Sequence, residues 1–152
     1  MKILVKSKDA IKESSVLIIP VFQDALNEGF RYLVKYGYRR TVHIETLVGQ
    51  HKFKGKSKEL LHLSSLRTPT HAVLLCGVGK RGSCTLEKLR CTIGGAVRML
   101  KKLHYKDASI MLDTMYHSPC KAEDIVACVA EAAELAVYAF KKYKKASAAG
   151  ET

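Results

Sequence analysis

A chain of 152 residues fits a single domain, and 47% hydrophobic residues is enough to build a core. The longest apolar run, Val16 to Phe22, falls far short of the roughly 20 residues that a membrane span needs. The apolar stretch after Lys2 is too short for a signal-peptide core and reads as an opening strand. With 26 Lys and Arg against 14 Asp and Glu, the formal net charge is +12, a surface that attracts nucleic acid, anionic membranes or acidic partners. The basic residues are spread over 52–58, 80–90, 98–106 and 141–145 without one dense block, the pattern of a solvated surface. Five cysteines, an odd number placed mostly in apolar or helical stretches, read as reduced thiols in a cytosol-like compartment.

In chain order, short β-branched segments bounded by turn residues predict strands at Lys2–Lys6 and Ser15–Pro20. A helix is predicted from about Gln23 to Tyr36, with Asp24 as N-cap, Gly37 at the far end, and Leu26, Phe30, Leu33 and Val34 buried. Strands follow at Thr41–Val48, Glu59–Leu63 and Thr70–Gly77. The last of these is apolar throughout from Ala72 to Cys76, as expected of a central strand covered on both faces.

A second helix is predicted from about Leu86 to Leu103, capped by Thr85 or Ser83. Leu86, Leu89, Ile93, Ala96, Val97, Leu100 and Leu103 fall along one of its faces. The opposite face carries Lys88, Arg90, Arg98, Lys101 and Lys102, the candidate nucleic-acid contacts. After a strand at Ala108–Leu112, a third helix is predicted from about Pro119 to Tyr143, with Ser118 and Pro119 as N-cap and first turn. Its buried stripe is expected to be Ile125, Val129, Ala132, Leu135, Ala136, Ala139, Phe140 and Tyr143, with Glu123 and Asp124 at the positive end of the dipole and Lys141, Lys142, Lys144 and Lys145 at the negative end. The small residues from Ala146 to Gly150 read as a linker-like tail, so the expected division is a domain at 1–145 and a tail at 146–152. The element order predicts one α/β domain, a mixed sheet with helices on both faces.

Gly77-Val78-Gly79-Lys80-Arg81-Gly82 matches GxGxxG between a predicted strand and a predicted helix, which makes Gly77, Gly79, Lys80, Arg81 and Gly82 a candidate anion-binding turn. The acidic residue after the next strand, Asp113, stands farther on than the roughly 20 positions of a dinucleotide fingerprint. The turn also lacks the GK[ST] ending of a P-loop, and a structural glycine turn is the simpler reading. His117 and Cys120 form the only close His/Cys pair, short of the two pairs that a four-ligand zinc site needs. Cys76 reads as a packed thiol, whereas Cys84, near a helix start with Lys80 and Arg81, is expected to have a lowered pKa. The carboxylates give no general acid and base pair, and Glu45 and Glu59 fall on predicted strands. No catalytic, cofactor-binding or metal-ligating set is expected in this chain.

Three segments together resemble the N-terminal domain of the cytosol (leucyl) aminopeptidase family. They are Phe53-Lys54-Gly55-Lys56 leading into Glu59–Leu63; Val73–Lys80 with Leu86–Arg90 and Gly94-Gly95-Ala96; and Ala130–Lys144 with its Tyr-x-Phe-x-x-Tyr-Lys ending. The chain departs from the family pattern at Val137, where glycine is common, and at Lys141, where aspartate is common. The resemblance implies a macro-domain-like, three-layer α/β/α sandwich and a parent enzyme that is a cytoplasmic, two-metal (zinc or manganese) exopeptidase releasing N-terminal amino acids. It implies that the metals and catalytic residues lie in a C-terminal domain whose motifs do not occur here. The implied partners are that catalytic domain and a homo-oligomer, a hexamer in the family, with DNA in some bacterial members. Two other readings remain open: a basic nucleic-acid-binding module, and a pocket for ADP-ribose or another phosphate compound at Gly77–Gly82.

Overall fold

Two wholly apolar strands form the centre of the molecule. In the computed structural model, which describes residues 2–4, 15–35, 41–64, 72–115 and 118–150, every residue of β2 (Val16–Phe22) and β4 (Ala72–Gly79) is buried. They pair in parallel, Val16 opposite Ala72 through Val21 opposite Gly77. Around them the sheet has five strands in the order β1-β5-β2-β4-β3, with β1 at Lys2–Leu4, β3 at Leu60–Ser64 and β5 at Asp107–Ile110. β3 runs antiparallel to β4 and the other pairs are parallel, so the sheet is mixed. Pro20 lacks an N–H, yet it sits on a central strand because β5 pairs with β2 only at Leu17 and Ile18. Beyond that point the Thr114 hydroxyl donates to the Pro20 carbonyl at 2.6 Å.

Alternate residues of each strand point to opposite faces, and each face has its own helical layer. Val16, Ile18, Leu74, Cys76 and Ile110 pack under α3 (Leu86–Lys102) and α4 (Ala122–Gly150). Leu17, Ile19, Val21, Val73 and Leu75 pack under α1 (Leu26–Lys35) and α2 (Thr41–Gln50). The fold is therefore the expected α/β/α sandwich. Parts of the predicted elements lie outside the described residues, namely 5–6 of the first strand, Tyr36 with the cap Gly37, and 70–71 of the strand seen as β4, as do the expected buried side chains of Leu33, Val34, Ala139, Phe140 and Tyr143.

The clearest departure is α2, read in the sequence as a strand at Thr41–Val48. A strand with Ile44 and Val48 inside would also bury Thr46, but Thr46 is exposed, while Ile44 and Val48 are buried and Leu47 is half-buried. The burial follows helical spacing. Glu45, expected on that strand, is instead an exposed residue of α2.

Helix ends also differ. Thr85 caps α3 as expected, accepting from the Lys88 N–H at 3.2 Å. Asp24, expected to cap α1, instead accepts the Arg81 N–H at 3.0 Å. Ser118 accepts from Cys120 N–H at 3.3 Å in a turn, and α4 begins only at Ala122. At its other end α4 continues to Gly150, past the expected stop near Tyr143, because Ala146, Ala148 and Ala149 are strong helix formers. Leu103, expected in the buried stripe of α3, closes that helix and is 44% exposed. On α4, Leu135 is 55% exposed, while Cys128, Ala132, Ala133 and Ala136 are buried. The small side chains face α3 and the larger one is left outside.

Candidate functional site

The GxGxxG turn is closed by its own chain. A Cβ on Gly77 would stand 2.0 Å from the Lys56 carbonyl oxygen, so only glycine fits there. The Gly77 N–H donates to Glu59 O at 2.7 Å, and Gly77 O accepts from Lys58 N–H at 3.1 Å. Gly79, held at φ +89°, donates to Gly55 O at 3.0 Å and accepts from Gln23 N–H at 2.8 Å. The Glu59 carboxylate, expected on a strand, lies just before β3 and accepts the N–H groups of Lys54, at 3.2 Å, and Lys56, at 2.9 Å. Residues 53–59 are thereby clamped against the end of β4.

Arg81 is fixed from three sides. Its N–H bonds Asp24, its guanidinium pairs with Glu28, and the same group lies 5.3 Å from the centre of the Phe22 ring. Lys80 and Gly82 are exposed, and a Cβ on Gly82 would meet nothing within 4 Å. The N–H groups of Gly77, Gly79 and Arg81, which an anion would need, are donated within the chain. Beside this turn, Gln23–Glu28, Arg31 and Arg81 line a polar hollow of about 520 Å³.

The five candidate basic contacts on α3 do not form one free row. The Lys88 ammonium donates to Ser83 O at 3.0 Å, and Arg90 pairs with Glu87 at 2.8 Å and with Glu131 at 3.7 Å. These carboxylates hold the Arg90 guanidinium above its ordinary pKa. Lys101 is half-buried, and Arg98 and Lys102 are exposed. Arg98 and Arg90 border a groove of about 640 Å³ between α3, α4 and the start of β3, whose apolar wall includes Leu60, Leu135 and Tyr138. This groove escaped the sequence because Leu135 fits the apolar spacing of α4. Its signal in the sequence was the glycine pair Gly94-Gly95, which lines it.

Cysteine chemistry runs opposite to the sequence expectation at Cys84. Burial, then the neighbouring Cys120 thiol, pushes it up to about 11, and the positive charge of Lys88 only partly opposes this. Cys76, wholly enclosed in β4, is pushed up much further by burial. His62 on β3 shares a hydrogen bond of 2.7 Å with the Tyr105 hydroxyl, and partial burial lowers its pKa. His117 lies outside the described residues, and among those described no group of three or more His, Cys, Asp or Glu is arranged to hold a metal ion. Nor, among them, is any helix long and apolar enough to cross a membrane.

Over residues 18–147 the chain matches the family described as the cytosol aminopeptidase family, N-terminal domain. A probable cytosol aminopeptidase of Clostridium perfringens is 28% identical over 138 residues, which is 90% of this chain and 26% of that protein. The chain thus spans about a quarter of the length of this relative. Among solved structures, the bottromycin maturation enzyme BotP superposes with a TM-score of 0.63 at 18% identity, covering 82% of this chain and 23% of that one. The macrodomain of Mycobacterium tuberculosis DarG superposes with a TM-score of 0.64 at 11% identity, covering 88% and 90%. Both likenesses show the macro-like fold.

Proposed function

Because the chain belongs to the cytosol aminopeptidase family as its N-terminal domain, we propose that it is the non-catalytic assembly or regulatory part of a leucyl aminopeptidase. The observation that carries this reading is the family match across residues 18–147, joined by a probable cytosol aminopeptidase of which the chain spans 26%. The parent is a cytoplasmic exopeptidase releasing N-terminal amino acids. Its two divalent metals, zinc or manganese, and their ligands belong to a catalytic domain outside these residues. The proposed domain unit is residues 1–145, with 146–152 as its tail, and its partners are the catalytic domain and further copies in a homo-oligomer.

The closed turn at Gly77–Gly79 supports a structural role for the glycines: its N–H groups hold the segment at 53–59 in place of a phosphate. The assay is hydrolysis of a leucine anilide by residues 1–152 with added manganese or zinc. No turnover is expected, and metal-dependent turnover would contradict the proposal.

A second reading, a nucleic-acid-binding surface, draws on the net charge of +12 and on exposed Arg98 and Lys102. With Lys88 and Arg90 already engaged by the chain itself, few phosphate contacts are left on this face. This reading expects a DNA duplex to be retained at low salt and released steeply as salt rises. No retention at low salt would remove it.

A further inference from the structure

Three thiols meet where α3 and α4 begin. Cys84 directly precedes the Thr85 cap of α3, Cys120 lies two residues before α4, and Cys128 sits on α4 itself. The Cys120 sulfur is 4.0 Å from the Cys84 carbonyl oxygen, and the Cys120 thiol is near enough to Cys84 to raise its pKa. The Cys128 sulfur is 3.3 Å from Leu86 O and is buried. The remaining cysteines stand apart: Cys76 is enclosed in β4, and Cys91 is exposed on α3 with its thiol directed to Glu87.

We propose that Cys84 and Cys120 form an oxidation site, closing an intramolecular disulfide when a hydroperoxide is the oxidant. Cys120 is half-buried and so reachable from solvent, while Cys84 is only 6% exposed. The Cys120 thiol, giving up its proton, attacks a peroxide oxygen and the O–O bond breaks; the hydroxide that leaves takes up that proton as water, and Cys120 becomes a sulfenic acid. The Cys84 sulfur, giving up its proton, then attacks the Cys120 sulfur; the S–O bond breaks and hydroxide leaves, taking that proton as water. Two thiols lose two electrons in all, and one hydrogen peroxide becomes two waters. Both sulfurs are carried by backbone outside the helices, which can give the small movement that a disulfide needs, whereas Cys128 is fixed on α4. The cross-link spans 36 positions and ties the turn after β4 to the approach to α4.

The test uses the full chain with Cys91→Ser, so that the exposed thiol does not contribute, treated with hydrogen peroxide. The intact mass should fall by about 2 Da, and a peptide joining Cys84 to Cys120 should appear without reductant and vanish with it. The oxidised protein should also melt at a higher temperature, because the cross-link restricts the unfolded chain. A linked peptide containing Cys128 instead, or oxidation without any link, would overturn the proposal. With Cys120→Ser added, Cys84 should survive the same treatment as a free thiol; its loss at an unchanged rate would equally overturn it.

Discussion

The two sides from which the chain approaches the β3–β4 edge are built on opposite principles. On one, the segment at 53–59 lies so close to Gly77 that its carbonyl takes the place of a side chain, and the backbone groups there satisfy one another. On the other, the small residues of α3 and α4 draw the helices together but leave Leu135 and Tyr138 standing over an open groove. Closeness of backbone closes the first region, and closeness of helices opens the second. A glycine-rich motif is therefore a poor guide to a ligand site when another segment of the same chain already fills it.

Substitution should expose that contrast. Gly77→Ala should have the largest effect, since its methyl would overlap the Lys56 carbonyl: about 3 kcal/mol or more. In a domain of this size that is a melting temperature lower by about 6–12 °C. Glu59→Gln keeps the shape but weakens the acceptor for Lys54 and Lys56, and should cost about 1 kcal/mol by urea unfolding. Gly82→Ala, in the same motif but in open space, and Leu135→Lys, at the groove, should each change stability by less than about 0.5 kcal/mol. A Gly82→Ala cost equal to that of Gly77→Ala would show that the clamp is not what holds the turn.

β3 is also held further along, by His62 and Tyr105, and there pH is the probe. Burial lowers the folded pKa of His62 below 6.5, so the unfolded chain takes up the proton first as pH falls. The contribution of His62 is present above pH 6.5 and is lost as pH falls through the lower folded value. Melting temperatures at pH 7.5 and 5.5 should therefore differ less in His62→Asn than in the parent chain, and an equal difference would assign the loss to other groups.

What the sequence disclosed followed from how strongly local pattern and packing agreed. The unbroken apolar run from Ala72 to Cys76 pointed to a strand buried on both faces, and Thr85 before Leu86 marked a helix start that the structure retains. Thr41–Gln50 misled because its β-branched residues alternate with polar ones; which face it buries is decided by contact with Phe30 and the sheet, not by propensity. Asp24 and Arg81 are 57 positions apart, so no local rule could reveal that one caps the other. The same holds for Cys84, where charge near a helix start suggested a lowered pKa, and burial beside two more thiols raises it instead. The family resemblance was legible because it rested on several separated segments in order rather than on the single glycine motif.

The measurement that bears most directly on the proposed role is the mass of the protein as its source cells make it, captured with an antibody raised against residues 1–152. The account predicts a chain several times larger than 16.9 kDa that hydrolyses leucine anilide when manganese or zinc is supplied. A captured protein of 16.9 kDa with no peptidase associated with it would contradict the account and leave the basic surface as the better guide to function.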